Sequence, residues 1–339
     1  MRSTTVRVSV VSILVLAAWP VGLSAQRAGP VPVPVAAAIA ATPDRIWRDP
    51  GDVASLDLTY GAGGRANAPN PTSTFTFVTE DVSASSPKFE VVDDRGVTWK
   101  VKLAPESQPE TAATRFLWAA GYFVDEDHYM TDLPVKGLPT LRRGQEFVSA
   151  GGIVHGARLE RKREAATKLG DWGWFDNPFV GQQELNGLRV MMALLNNWDL
   201  KQVNNAVYAV DGEHHYAVSD AGATFGKTGS KGLRTKGVPT DYADSSFIAE
   251  DRPDLVNFAM ESRPFFLSVF AVANYVERTR MEQITRHIPR GDAKWLGQRL
   301  SRLTDRQIRD GFRAAGYGAD DIEILTKTVR QRILALEAL

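Results

Sequence analysis

The chain of 339 residues contains no cysteine and only five histidines. Without cysteine it forms no disulfide bond and offers no thiolate to a metal, so its stability depends on the hydrophobic core. Neither an H-E-x-x-H pattern nor a G-x-S-x-G pattern occurs, which argues against a zinc enzyme and a serine hydrolase. The adjacent His214 and His215 follow a predicted turn, where strand alternation sends the two rings to opposite faces, a poor arrangement for a chelate.

The sequence also lacks an excess of charge and a long apolar run. Forty basic and forty acidic residues give a net charge of zero, so there is no electrostatic case for binding nucleic acid or an anionic membrane. The apolar run over residues 8–23 is shorter than the roughly 20 residues of a comfortable membrane span. It follows Arg2 and Arg7 and precedes small residues that end at Ala25, as in a secretory signal peptide. We therefore expect cleavage before Gln26, a secreted or periplasmic protein, and no stable membrane span afterwards.

Alternation and periodicity predict the elements of the rest of the chain. TFTFVTE, FEVVDD and VTWKVKL alternate as strands do, and a helix is predicted over residues 109–120. The charged run RLERKREAATK predicts a solvated connection or a helix. A second helix is predicted over residues 182–196, followed by a hairpin that turns at Asp211-Gly212. From Ser245 to the end the pattern is helical.

These elements predict an α+β protein in two lobes, divided into four segments. Residues 1–25 are the signal peptide, and the Pro/Ala-rich residues 26–45 form a flexible lead-in. Residues 46–140 contain an N-terminal region and a β-rich lobe. Residues 141–339 form a helical lobe that carries one hairpin. Within that lobe, the aromatic patch of Trp172, Trp174, Phe175 and Phe179 suits core packing better than binding of a sugar or a partner.

Four polar pieces occur in an order that suits phosphoryl transfer. Lys102 lies on a predicted strand, and Glu110 lies in the helix that follows it, with Glu106 as a substitute. A loop beginning at Asp199 follows the second helix, and Asp220 ends the hairpin. Transfer of a phosphoryl group from ATP needs a cation for the phosphates, an acid that orients the cation, a carboxylate near the accepting hydroxyl, and oxygen ligands for Mg²⁺.

The loop and hairpin resemble a known family. WDLKQVNN, followed by two strands and YAVSDAG, resembles the catalytic loop and metal motif of the protein-kinase-like superfamily. SASSPKFEVVDDRGVTWKVKL, residues 83–103, resembles the phosphate loop and lysine strand of its atypical branches, which include HipA-like, lipid-kinase-like and secretory-kinase-like enzymes. The resemblance implies a small β-rich N-lobe, a larger and mostly helical C-lobe, and use of Mg²⁺ with ATP or another nucleotide.

The resemblance assigns a role to each matching residue. Asp199 is the catalytic carboxylate, and Lys201 steadies the transferring phosphate. Asn204, with Asn205 as the fallback, and Asp220 are the metal ligands. The nucleotide-binding residues are Lys102, its partner Glu110, and Lys88 as a second candidate phosphate contact. The chain departs from the pattern in three places: no G-x-G-x-x-G precedes Lys102, Asn197-Trp198 replaces the usual His-Arg, and only eight residues separate Lys102 from Glu110.

A second nucleotide-binding pattern is rejected. GATFGKTG nearly matches the P-loop, but Ala221 stands where the first glycine is required. A P-loop also leads directly into a helix, whereas a glycine-rich loop and Pro239 follow here. The loop from Lys227 to Lys236 instead suits an activation segment or substrate binding, with Lys227, Lys231, Arg234 and Lys236 as its basic residues.

The sequence therefore predicts an exported phosphotransferase that acts on the hydroxyl of an unknown protein or small molecule. A bacterial periplasm is not expected to hold much ATP, which leaves another donor or nucleotidyl transfer open. The alternative is a non-catalytic exported binding or scaffold module, a pseudokinase that keeps the fold.

Overall fold

The computed structural model describes residues 42–83, 86–103, 105–163, 165–227, 234–260 and 272–339. The predicted signal peptide and most of the Pro/Ala-rich segment lie outside the described residues. Within them, eight α-helices combine with strands in three sheets, which confirms the predicted mixed α+β composition. None of the described helices is long and apolar enough to cross a membrane.

The first part of the chain is mostly strand. Its elements are β1 (Asp44–Arg45), α1 (Gly64–Asn67), β2 (Phe75–Asp81), β3 (Lys88–Val92), β4 (Thr98–Lys102), α2 (Ser107–Ala119), β5 (Asp127–Lys136), β6 (Val148–Ser149) and β7 (Ile153–Arg161). The second part is mostly helix. Its elements are β8 (Thr167–Gly170), α3 (Gln183–Leu194), β9 (Asn205–Val210), β10 (Glu213–Val218), α4 (Pro239–Asp244), β11 (Ile248–Asp251), β12 (Leu255–Phe258), α5 (Val272–Glu282), β13 (Ile288–Pro289), α6 (Arg290–Leu300), α7 (Asp305–Ala314) and α8 (Ala319–Glu337).

Five strands of the largest sheet close into a ring. The sheet order is β4-β3-β2-β5-β7-β6, and β4 also pairs with β7. Alternation along β4 sends Trp99 and Val101 into an apolar cluster to which all five strands of the ring contribute. Lys100 and Lys102 consequently occupy the opposite face. This polar face of the ring carries the candidate site.

The ring corrects two predictions from the sequence. The sheet extends past residue 140, where the sequence placed the start of the helical lobe, because β7 pairs with both β4 and β5. The charged run that begins at Arg158 is predicted as a solvated connection or a helix, but its first residues belong to strand β7. Arg158 and Glu160 lie on β7, opposite Lys102 and Lys100 of β4, and Arg158 is buried. Burial is tolerated because each charge finds a partner of opposite sign on the same face.

A second apolar cluster surrounds α3 and the C-terminal helices. Helices α6 and α8 pack on each other, and α2 joins this cluster through Ala112, Ala113 and Phe116. Residues 248–258 form β11 and β12, not the helix that the sequence predicts from Ser245 onward. In β12, Val256 and Phe258 are buried while Leu255 and Asn257 are partly exposed, which is the period of a strand.

The predicted hairpin is confirmed as β9 and β10. Asp211 and Gly212 both have positive φ, 49° and 78°, as a two-residue turn of this kind requires. His214 contacts Asp44 at 2.9 Å, whereas His215 stacks on Phe123 with ring centroids 4.0 Å apart, so the two rings have separate partners.

Candidate active site

Lys102 is the last residue of β4, and its side chain is fully buried. The chain then turns into α2, and the hydroxyl of Ser107 donates to the carbonyl of Lys102 at 3.0 Å. This short connection holds the start of the helix beside the lysine. It explains how an acid only eight residues along the chain can reach the lysine side chain.

Two acids, Glu106 at the end of this connection and Glu110 in α2, contact Lys102, whereas the sequence offers them as alternatives. The Lys102 Nζ atom lies 2.7 Å from Glu106 Oε2 and 2.8 Å from Glu110 Oε2. Glu106 is the N-cap residue of α2, and Glu110 lies one turn further along on the same side. Glu110 is almost completely buried, while 16% of the Glu106 side chain is exposed.

Asp220 approaches the same ammonium group from the end of the hairpin. Both of its carboxylate oxygens lie 3.3 Å from Lys102 Nζ, and the Gly222 N–H donates to Asp220 Oδ1 at 3.2 Å. A Cβ atom on Gly222 would lie 2.9 Å from Cβ of Glu106. Glycine at this position therefore allows the turn after Asp220 to pack directly against the start of α2.

The loop after α3 is tied to Asp220 through Asn204. The backbone carbonyl of Asn204 accepts hydrogen bonds from the N–H groups of Ser219 and Asp220 at 2.9 and 3.1 Å. Its side-chain amide donates to the carbonyl of Asp199 at 2.5 Å. One residue thus fixes both the loop that carries Asp199 and the turn that carries Asp220.

Asp199 and Lys201 form an ion pair on this loop. Their closest atoms, Lys201 Nζ and Asp199 Oδ1, are 2.9 Å apart, and each side chain is about one-third exposed or less. The Asp199 N–H donates to Asn197 Oδ1 at 3.1 Å, and Asn197 is itself buried. The buried Asn197 therefore gives the Asp199 backbone a fixed anchor.

The donor types of Asp220 and Asn204 suit a hard divalent cation. Asp220 supplies a carboxylate that is 35% exposed. Because the Asn204 amide N–H₂ donates to the Asp199 carbonyl, the amide oxygen is the atom of this side chain that could bind a metal. Carboxylate and amide oxygens are ligands that Mg²⁺ accepts. By contrast, Asn205 donates its side chain to the carbonyl of Trp172 and is buried, which makes it a poor fallback ligand.

Three acidic side chains form a cluster around Lys102. Oxygen atoms of Glu106, Glu110 and Asp220 lie within 4.8 Å of one another, close enough to hold a metal. All three carboxylates, however, contact the Lys102 ammonium group. The cation that this cluster balances is therefore the lysine.

Arg158 extends the cluster and has no role in the prediction from the sequence. Its Nε lies 3.2 Å from Glu110 Oε2, and its guanidinium also donates to Asp127 and to Glu160. All of these groups lie on the polar face of the ring or on α2. The alternation in ARLER, with Ala157 and Leu159 buried in the apolar cluster, is the sequence signal that indicates a strand here.

The charges shift the pKa values of the site in ways that follow from burial and contact. Burial alone would lower the pKa of Lys102, but Glu110 and Asp220 outweigh it and raise the pKa above its ordinary value. Burial raises the pKa of Glu110 to about 7 even against the charges of Arg158 and Lys102. Loss of either cation would therefore raise the pKa of Glu110 further.

Lys88 lies directly opposite Lys102 in the pairing of β3 with β4. Burial lowers the pKa of Lys88, and the charge of Lys102 lowers it further. The structure thus brings Lys88, Lys102, Glu110, Asp199, Lys201, Asn204 and Asp220 into one region. Their catalytic and binding roles stay predictions. Of the predicted activation segment, Lys227, Arg234 and Lys236 are described, while Lys231 lies outside the described residues.

Comparison with known proteins gives little further information. No family model matches the chain, and no curated protein matches it. Among solved structures, the chain is similar to the Helicobacter pylori proinflammatory kinase CtkA. The identity is 12% and the TM-score 0.45, over 78% of this chain and 97% of that chain. A similarity this low does not establish a shared activity.

Proposed function

We propose that this chain is an exported, atypical kinase-like phosphotransferase with two lobes. It moves a phosphoryl group from a Mg²⁺-nucleotide to the hydroxyl of a protein or small-molecule acceptor. Export is proposed from the signal-peptide pattern of residues 1–25, and the two lobes from the two separate apolar clusters.

One observation carries the proposal. Three segments of the sequence are joined by an unbroken series of contacts. The side chains of Glu110 and Asp220 contact Lys102. The Asp220 N–H donates to the backbone carbonyl of Asn204, and the Asn204 side chain donates to the backbone carbonyl of Asp199. Scattered positions would have excluded phosphoryl transfer, because its parts must act on one phosphate group. These contacts support a shared site for the cation, the orienting acid, the oxygen ligands and the partly exposed carboxylate of Asp199.

Each residue has a role that follows from its surroundings. Lys102 binds phosphate oxygens, and Glu110 with Arg158 behind it fixes the direction of the lysine. Asp199 orients the accepting hydroxyl and takes up its proton, because it is the partly exposed carboxylate of the loop. Lys201, beside Asp199, stabilises the negative charge on the transferring group. Asn204 and Asp220 would hold Mg²⁺, which when bound neutralises charge on the phosphate oxygens.

Thermal unfolding with and without Mg²⁺-ATP tests the proposal. A ligand at a hundred times its dissociation constant stabilises the folded state by about 2.7 kcal/mol. We expect stabilisation of residues 26–339 that requires the metal and disappears in Asp220→Ala. Asp94→Asn, which changes an exposed carboxylate in the turn between β3 and β4, is the matched control and should keep the shift. Absence of any shift, with every nucleotide tried, would refute the proposal.

A non-catalytic binding module is the second candidate, and one observation favours it. Lys102 already contacts three carboxylates, so its charge is balanced without any nucleotide. Such a module would bind a ligand without turning it over. Incubation with radiolabelled ATP separates the two candidates: a binding module gives a thermal shift at most, whereas a phosphotransferase also releases labelled phosphate or labels an acceptor or itself.

A further inference from the structure

The carboxylate of Glu106 is held by residues from three separate segments. Its Oε2 atom lies 2.7 Å from Lys102 Nζ and accepts a hydrogen bond from the Ser86 hydroxyl at 3.1 Å. Its Oε1 atom accepts a hydrogen bond from Lys236, in the loop after Asp220. Two ammonium groups and one hydroxyl therefore surround a single carboxylate, and none of them comes from α2, the helix that begins immediately after Glu106.

Of the two acids on the α2 side of Lys102, Glu106 is the one that the lysine can lose more easily. Glu110 is buried and also contacts Arg158, which keeps it in place when its other partner changes. Glu106 is more exposed, and although it is the N-cap residue of α2 its side chain makes no capping hydrogen bond. Movement of its carboxylate would therefore break no hydrogen bond of the helix.

The groups around Glu106 are those that bind phosphate. A phosphate group accepts several hydrogen bonds and prefers ammonium donors and hydroxyls. Burial disfavours the charged form of Glu106, yet Lys102 and Lys236 lower its pKa to about 2, so an anion is present there throughout the physiological range. Like a phosphate group, the carboxylate of Glu106 carries a full negative charge, and its oxygen atoms accept hydrogen bonds from different donors.

We propose that Ser86, Lys102 and Lys236 form a phosphate-binding subsite, and that Glu106 occupies this subsite until a phosphate group displaces its carboxylate. The identification of the phosphate as part of a nucleotide depends on the proposed function. The subsite itself depends only on the donors. Glu106 thereby competes with the phosphate, whereas Glu110 supports Lys102 in binding it.

Calorimetric titration of the purified protein with pyrophosphate and with Mg²⁺-ATP tests this competition. Glu106→Gln keeps the size of the side chain but removes its charge, so both ligands should bind about tenfold more tightly. Glu110→Gln should weaken binding, because it removes the group that orients Lys102. Lys236→Met should weaken binding in the wild-type protein and should cancel the gain in the Glu106→Gln background. Lys168→Met, at an exposed lysine that forms an ion pair with Asp171, should change neither affinity.

The outcomes separate the subsite from the proposed function. Weaker binding in Glu106→Gln, as in Glu110→Gln, would mean that Glu106 orients Lys102, and it would overturn the inference. Unchanged affinity would overturn it as well. If pyrophosphate binds more tightly to Glu106→Gln while ATP binds to neither protein, the subsite is supported and the nucleotide-dependent function fails. Circular dichroism of each variant confirms that the fold is retained.

Discussion

Arg158 and Lys102 lie directly opposite each other on β7 and β4, and both reach the same carboxylate oxygen of Glu110. Their side chains share one face of the ring because residues paired across two strands point the same way. Two buried cations would repel each other without the acids between them. The geometry of the lysine therefore depends on charges that lie outside the motif containing it.

Arg158→Met should destabilise the fold strongly. It leaves the buried Asp127 without its ion-pair partner and leaves Glu110 with Lys102 alone, and breaking a buried ion pair costs about 3–5 kcal/mol. Without Arg158 the pKa of Glu110 rises further, so uptake of a proton by Glu110 makes this loss smaller as the pH falls. Urea unfolding at pH 8 and at pH 6 measures both effects.

Lys162→Met is the matched control for the arginine variant. Lys162 follows β7 directly, is 62% exposed, and lies 3.7 Å from Glu90. An exposed pair of this kind contributes at most about 1 kcal/mol. Equal destabilisation by the two variants would show that the buried charge network does not stabilise the ring.

Asp199→Asn should reduce turnover without changing nucleotide affinity. The substitution removes the proton acceptor, which typically contributes about 10²–10⁴-fold to the rate. The metal ligands and Lys102 are untouched, so the KM for ATP should remain within about threefold of the wild-type value. Steady-state release of labelled phosphate over a range of ATP concentrations gives both parameters. A parallel loss of ATP affinity would assign Asp199 to nucleotide binding instead of catalysis.

Local chemistry explains which parts of the fold the sequence predicts. Asp211-Gly212 specifies the hairpin because few residue pairs accept two consecutive positive φ angles. Periodicity likewise predicts α8, whose apolar residues recur at helical spacing through Ile322, Leu325, Val329 and Ile333. Both signals act within a few residues and need no tertiary contact.

The parts that the sequence mispredicts depend on contacts between distant segments. Arg158 and Glu160 suggest solvent when read locally, but they are satisfied by Glu110, Asp127 and Lys100 across the ring. Similarly, the sequence treats Glu106 and Glu110 as alternatives, since helical spacing alone does not show that both reach Lys102. Tertiary pairing of charges is not encoded in the local pattern.

Gly297→Ala should destabilise the contact between α6 and α8 although alanine favours helix. A Cβ atom at Gly297 would lie 2.7 Å from Leu336 Cβ and 2.8 Å from the Leu336 backbone carbon, so α8 would have to shift. Such overpacking costs about 1–3 kcal/mol. Gly291→Ala, in the same helix but in open space, should instead stabilise by up to about 1 kcal/mol. Urea unfolding of the pair measures the difference, and stabilisation by both would contradict the close approach.

His128 should make the fold less stable as the pH falls from about 6.5. Burial, reinforced by Arg115 and Arg161, lowers its pKa to about 3, and its Nε2 atom has no hydrogen-bond partner among the described residues. Below pH 6.5 the unfolded chain therefore binds a proton that the folded chain does not, so stability decreases by up to about 1.4 kcal/mol per pH unit.

His128→Gln removes this contribution, and the gap in unfolding free energy between variant and wild type should narrow steadily from pH 7 to pH 5. Buried acids with raised pKa values, such as Asp125, affect both proteins equally and cancel in the difference. His155→Gln, at an exposed histidine that contacts Asp132, is the control. A gap that stays constant with pH would mean that His128 is protonated equally in the folded and unfolded states.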